Sequence, residues 1–177
     1  MPTPYPRHLR HATSNDSSQL AALAAAVFRQ TYGEVIPNEI LTLYLQQHFA
    51  PLTIAADIGL PHQYYLVAYD GERLAGFCKL AKTAVPPTIP TTAYNPLELV
   101  KLYLHSDYHG TGTGSKLMEA AVETAVHHQH DALWLCVWEQ NAPAIAFYQK
   151  WGYNQVGTTQ IFVDSVVFDD LVLIKHL

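Results

Sequence analysis

An α/β fold with a mixed sheet flanked by helices is predicted by three features of the sequence. Helix-like and strand-like patterns alternate along the chain without any internal repeat. Residues 99–104 form an apolar, strand-like run that meets a short polar turn, three glycines at alternate positions (Gly110, Gly112, Gly114) and then an amphipathic helix pattern. Residues 133–138, Leu-Trp-Leu-Cys-Val-Trp, hold no polar side chain, as expected of a strand buried on both faces.

The elements follow in order. Residues 17–32 have helical spacing (Leu20, Leu23, Ala24, Val27, Phe28), with Ser14 or Asp16 as the cap. Pro37 opens a second helix through His48, with Ile40, Leu41, Tyr44, Leu45 and His48 on its inner face. Residues 64–69 and 73–81 flank Asp70-Gly71, a hairpin signal. Four prolines between residues 85 and 96 (Pro86, Pro87, Pro90, Pro96) leave a stiff loop there. Residues 98–104 are the next strand and 114–127 the helix after the glycine turn, whose stripe Leu117, Met118, Ala121, Val122 and Ala125 faces the sheet. After the strand at 133–138, Asn141 caps a helix with Pro143 in its first turn. Residues 155–163 and 166–174 form a hairpin around Asp164-Ser165.

At 177 residues the chain can bury one sizeable core but hardly two, so one domain over 1–177 is expected. No apolar run approaches the ~20 residues needed to span a bilayer, and residues 1–16 contain no secretory h-region. Cys78 and Cys136 each lie inside an apolar run, which predicts reduced, packed thiols in a cytoplasmic protein. A net charge of −5, with the histidines neutral, gives no electrostatic footprint for nucleic acid and suits a cationic small substrate.

A strand, a glycine turn and a helix N-terminus together build a cradle for a pyrophosphate, because glycines let backbone amides crowd an anion and the helix dipole favours it. The P-loop reading fails: Gly114 is followed by Ser115-Lys116, the reverse of the order that motif needs. A Rossmann fingerprint fails too, since position 115 is Ser, the turn lies past mid-chain, and Asp131 belongs to the turn before the next strand.

The run His109-Gly110-Thr111-Gly112-Thr113-Gly114 resembles the coenzyme A loop of the GCN5-related N-acetyltransferase (GNAT) superfamily. Residues 133–157 strengthen the resemblance: the family follows a buried strand with Asn, a short helix carrying Phe-Tyr and a Gly-aromatic turn, here Asn141, Phe147-Tyr148 and Gly152-Tyr153. Residues 27–34 and 64–80 also resemble it, and the matches look closest to the PaiA-like spermidine/spermine acetyltransferases. The resemblance implies a GNAT fold, with a mostly antiparallel mixed sheet, and acetyl-CoA as co-substrate.

It further implies that the pantetheine arm lies along Leu102, Tyr103 and Leu104, with a main-chain amide near Leu102 polarising the thioester carbonyl. The pyrophosphate would take N–H bonds from His109, Gly110, Thr111, Gly112, Thr113, Gly114 and Ser115. Tyr148 matches the general acid, and a phenol with a pKa of about 10 stays protonated at neutral pH. Helical spacing with Ala144 and Ile145 equally allows it a packing role. Glu98 is the candidate base, directly or through water, with a solvated strand-edge carboxylate as the other reading. Tyr32 and Glu34 are candidates for an amine-recognising wall. Asn141 serves as helix cap and CoA ligand, and Lys150 as a contact for the 3′-phosphate. His109 departs from the usual Arg or Gln; a histidine keeps an N–H donor but holds its charge only in acid, which predicts CoA binding that weakens as pH rises. His127, His128 and His130 end a helix, where they offset its dipole and face solvent, and no metal site is expected. An acetyl-cysteine route through Cys78 or Cys136 lacks an activating base nearby in sequence.

The expected activity is acetyl transfer to a primary amine in a ternary complex, with a polyamine or other small amine as acceptor. Acetylation of a protein N-terminus or lysine, and a CoA-binding sensor without turnover, are the alternatives. No nucleic-acid or membrane partner is expected. The aromatic C-terminal strands could pair with a second copy in a homodimer or cover the protein's own core.

Overall fold

The computed structural model describes residues 8–90 and 92–177. Residues 1–7, part of the N-terminal stretch read above as lacking an h-region, and residue 91 of the proline-rich loop lie outside them. Seven strands follow one another in hydrogen-bonded order β1-β2-β3-β4-β5-β7-β6: β1 His8–His11, β2 Gln63–Asp70, β3 Arg73–Ala81, β4 Pro96–Leu104, β5 Ala132–Trp138, β6 Asn154–Val163 and β7 Val166–His176. The sheet is mixed: β4 and β5 run parallel, whereas β1–β2, β5–β7 and β6–β7 are antiparallel. The helices are α1 Ser17–Tyr32, α2 Asn38–His48, α3 Pro51–Asp57, α4 Thr113–His127 and α5 Ala142–Lys150. Among the described residues no helix is long and apolar enough to cross a membrane.

Among the described residues, 8–80 together with Lys101–Ala121 form one compact unit. Its core takes Leu20, Leu23, Ala24 and Phe28 from α1, as their spacing requires, and Leu66, Val67, Phe77, Cys78 and Leu80 from the β2–β3 hairpin. The start of α1 differs from expectation. Ser14–Asp16 is a 3-10 turn, and Asp16 makes no side-chain cap bond to α1. Its carboxylate accepts two bonds from the Arg10 guanidinium at 2.8 Å each, one from the Thr13 amide at 2.7 Å and one from the Tyr69 hydroxyl at 2.8 Å. Asp16 is buried, so these donors replace water and the carboxylate turns toward them instead of the helix.

Two elements were not expected. The β1 strand carries four exposed residues and no apolar alternation, and it exists through its ladder to β2, from His8↔Tyr69 to His11↔Leu66. Helix α3 has Pro51 at its first turn and is too short for periodicity to reveal. In α2, Pro37 is the cap rather than the first helical residue; Leu41 and Leu45 are buried, but His48 is exposed and packs its ring 4.3 Å from Tyr44.

Ala81–Val100 with Val122–Leu177 forms the second unit. Strand β5 is its centre, laddered to β4 from Pro96↔Ala132 to Glu98↔Trp134 and to β7 from Ala132↔His176 to Trp138↔Asp170. Contrary to the fully buried strand expected, Cys136 and Trp138 are only half-buried. The proline-rich loop is packed down: Ile89 is buried against Ala132, Trp134, Val172 and Ile174. A Cβ on Gly157 would come within 2.5 Å of Thr88, so the loop lies flush against β6. His127 and His128 are exposed as expected, but His130 is buried, its Nδ1 2.9 Å from the Asn95 carbonyl, because the loop covers it. The β6–β7 hairpin turns at Asp164 and leaves Ile161, Phe162 and Val167 exposed near its tip while Val163 and Phe168 are buried.

The Arg10 hydrogen bonds, foremost, hold the Asp16 carboxyl well below the usual carboxylate range. Its contribution to stability is therefore complete above pH ~4 and is lost as pH falls further. Asp16→Ala is expected to lower stability by about 2–4 kcal/mol at pH 7. Denaturant midpoints should show that gap narrowing at pH 3.

Candidate active site

The glycine turn belongs to the first unit and is anchored by its own hydrogen bonds. At the end of β4 the His105 amide donates to the Ala75 carbonyl at 2.9 Å, and Ser106–Tyr108 follows as a 3-10 turn. Arg73 reaches over from the β2–β3 hairpin to Asp107 at 2.8 Å and places its guanidinium 5.5 Å from the Tyr108 ring centre. The Tyr108 hydroxyl donates to Asp70 at 3.1 Å. Beyond Tyr108, the Thr111 hydroxyl donates to the Tyr108 carbonyl at 2.8 Å and lies 2.9 Å from that of Thr113, which is fully buried. The two threonine hydroxyls thus fasten the turn to itself, and what the loop offers a ligand is main chain.

Gly110 and Gly112 have φ of +73° and +88°, a conformation that side chains strongly disfavour. A Cβ at Gly110 would meet nothing within 4 Å, so the backbone angle, rather than crowding by neighbours, is what calls for glycine there. Helix α4 starts at Thr113, and the Lys116 amide donates to the Gly112 carbonyl at 3.1 Å. The amides of Thr113, Gly114 and Ser115 precede that bond at the positive end of the helix, where no intrahelical carbonyl is available to them. Together with the opened turn they suit an extended anion such as a pyrophosphate. His109 is exposed, its amide bonded to the Ser106 carbonyl at 3.1 Å. Leu102, Tyr103 and Leu104 are half-buried, with the Tyr103 ring 5.6 Å from Phe77. Tyr32 joins an aromatic cluster, 4.5 Å from Phe28, which in turn stacks on Tyr44 at 4.9 Å; Glu34 is exposed in the following turn.

The remaining sequence-predicted residues belong to the second unit. Glu98 is half-buried and accepts a 2.5 Å hydrogen bond from the Thr83 hydroxyl. Asn141 is the cap of α5, accepting from the Ala144 amide at 3.3 Å. Tyr148 is half-buried, its ring edge-on to Phe147 at 5.6 Å and Tyr153 at 5.7 Å. Lys150 ends α5 and is exposed.

Neither cysteine is poised as a nucleophile: burial, foremost, pushes both thiols up to about 12. Among the described residues no group of three or more His, Cys, Asp or Glu is placed to hold a metal ion.

The chain and its fold are similar to those of known proteins. The family model described as Acetyltransferase (GNAT) family matches residues 28–153. An uncharacterized N-acetyltransferase of Mycobacterium bovis is 27% identical over 162 residues, covering 92% of this chain and 98% of its own. The crystal structure of the PaiA N-acetyltransferase from Thermoplasma acidophilum, in complex with coenzyme A, superposes with a TM-score of 0.75 at 21% identity, covering 96% of this chain and 98% of that one. A ribosomal-protein-alanine N-acetyltransferase from Brucella melitensis shares the fold as well, with a TM-score of 0.69 at 20% identity over 96% of this chain and 99% of that one.

The sequence reading missed Asp170. It lies on β7 with 7% of its surface exposed, and its carboxyl is raised to about 6 by burial first and by neighbouring Asp169 second. The signal was present: in Val-Phe-Asp-Asp-Leu-Val-Leu-Ile, the period of two puts Asp170 on the same side as Phe168, Val172 and Ile174. Because the folded carboxyl binds its proton more tightly than the usual 3.8, stability falls as pH rises from about 4 to 6 and stays reduced above that. Asp170→Asn should therefore raise stability above pH 6 by up to about 3 kcal/mol and change it little near pH 4. Melting temperatures at pH 4 and pH 8 would check this.

Proposed function

The chain belongs to the acetyltransferase (GNAT) family, and on that premise we propose that it moves the acetyl group of acetyl-CoA directly to a primary amine, a polyamine or another small amine. One observation carries the reading: a pinned, positive-φ glycine turn that delivers consecutive amides at the start of α4. Neutral amides and a helix dipole suit the CoA pyrophosphate, and the amides of Gly110, Gly112, Thr113, Gly114 and Ser115 are assigned to it. Those of His109 and Thr111, expected to join them, bond the Ser106 and Tyr108 carbonyls at 3.1 and 3.4 Å instead. Leu102, Tyr103 and Leu104 are assigned to the pantetheine arm, with the amide near Leu102 directed at the thioester oxygen. Asn141 and Lys150 complete the assignment to CoA.

Acetyl-CoA supplies an activated acetyl thioester. Glu98, directly or through water, takes a proton from the ammonium form of the acceptor and passes it to solvent. The nitrogen then bonds to the acetyl carbon as the carbon–sulfur bond breaks, and Glu98 takes the second proton that the nitrogen sheds to become an amide. Tyr148 gives its phenolic proton to the departing thiolate and is reprotonated from solvent. The hydroxyl of Thr83 on Glu98 would have to yield to the acceptor or to its water. A net charge of −5 and the resemblance to PaiA-like enzymes favour a cationic acceptor, with Tyr32 and Glu34 as candidates for its wall. Two free, packed cysteines fit a reducing, cytoplasmic setting. The fold shared with a ribosomal-protein-alanine N-acetyltransferase keeps protein N-terminal acetylation as the second reading.

Release of free CoA, followed with spermidine, spermine, amino acids, aminoglycosides and a short peptide, tests the assignment. Turnover is expected with polyamines, and Tyr148→Phe should lower kcat by roughly 10²- to 10⁴-fold while leaving acetyl-CoA binding intact. Turnover with the peptide alone would favour the second reading. Tight acetyl-CoA binding without turnover of any acceptor would make the protein a sensor.

A further inference from the structure

Three strands of the second unit place their side chains by a single register. Residues directly opposite in a ladder share a face, so Glu98, opposite Trp134, lies on the face that also carries Cys136 and Trp138. The β5–β7 ladder adds Val172 opposite Cys136 and Asp170 opposite Trp138. Phe168 is two residues from Asp170 on the same side, and its ring meets that of Trp138 edge-on at 5.5 Å. Asp170 thus neighbours, by register, two aromatic side chains that touch each other, one along its strand and one across from it.

Two polar groups on this face are buried. One is the carboxylate of Asp170, with the like charge of Asp169 acting on it; the other is the indole N–H of Trp134, which has no hydrogen-bond partner among the described residues. Cys136, midway between their positions, responds to both carboxylates: after burial, Glu98 and Asp170 are the charges that raise its thiol. The two acids therefore act on one patch of the sheet. A carboxylate set beside aromatic rings is the recognition chemistry of an ammonium group, through charge and through the ring faces.

We propose that Asp170, framed by Trp138 and Phe168, binds a second ammonium group of the acceptor and so selects oligoamines over monoamines. This rests on the reading that the acceptor is an amine and adds a specificity-determining residue to it. The register also sets a length. From Trp134 to Trp138 is about 13 Å along β5, and β4 to β7 spans about 10 Å across two strand spacings. A pair of positions so far apart suits an extended polyamine better than a short diamine.

The test compares spermine with n-hexylamine, each as acceptor for wild type and Asp170→Asn, in CoA-release assays. The ratio of kcat/KM for spermine to that for n-hexylamine should fall about tenfold or more in the variant, the loss expected for one charge-assisted contact. A ratio that does not change, whether both amines slow together or neither does, would overturn the proposal, since damage to packing alone would lower both. Should neither amine be acetylated, calorimetric titration with spermine in the presence of CoA decides separately from turnover. Binding by wild type that weakens at least tenfold in Asp170→Asn supports the site even though the acetyl-transfer reading has failed. Equal binding by both proteins, or none by wild type, removes the site.

Discussion

The register of β5 depends on Asp131, one residue before the strand begins. Its carboxylate accepts the amides of Tyr94 at 2.6 Å and Asn95 at 3.0 Å, just ahead of β4, and its carbonyl accepts the amide of Leu177 at 3.0 Å, just beyond β7. One residue therefore aligns the start of β4, the start of β5 and the end of β7. Side chains alternate along a strand, so a slip of one position would send Glu98 or Asp170 to the opposite face. The apolar sequence of β5 cannot prevent such a slip, because Leu, Trp, Cys and Val tolerate either face. The polar clamp at its end supplies what the apolar run lacks.

In the glycine turn the same division between shape and fastening recurs. An anion held by main-chain amides needs those amides fixed in direction, since a mobile loop would have to be ordered on each binding event. Arg73 with Asp107, Tyr108 with Asp70 and the Thr111–Thr113 hydroxyl pair supply that order from within the unit. The amides of Thr111 and Thr113 were expected to bind CoA; that of Thr113 stands at the start of α4, whereas that of Thr111 bonds the Tyr108 carbonyl at 3.4 Å.

What was legible in the sequence is what local physics fixes. The β2–β3 turn, the β4–glycine–α4 unit, the apolar β5 and the Asn141 cap of α5 all lie within a residue or two of expectation. Strand β1 was not legible because an exposed His-Leu-Arg-His has no periodic signal and is ordered only by β2 and by Arg10 on Asp16. The role of Asp16 was hidden for a related reason: a short acid before a helix signals a cap, but Arg10 and Tyr69 lie in reach only once the sheet has formed. Asp170 was visible by parity, but its neighbours Trp138 and Cys136 lie more than thirty residues away and the pairing of β5 with β7 is needed to find them.

The proposed reaction would divide its two ends between two kinds of electrostatics. The anionic co-substrate would fall to partial charges, the amides of a turn and a helix end, which carry no net charge and need no counterion. On the proposed reading the cationic acceptor would fall to full charges on Glu98 and Asp170, and a full charge buried as that of Asp170 is destabilises the protein until it is matched. That asymmetry follows from what each ligand demands. A pyrophosphate is the same in every turnover, so a fixed cradle of dipoles can be built around it. An ammonium group is small and compact, without a shape for a cradle to select, and a carboxylate set against aromatic rings recognises it by charge and desolvation together. A buried carboxylate on β7, where an amide would be more stable, is the trace that such a requirement, as proposed, would leave in a fold.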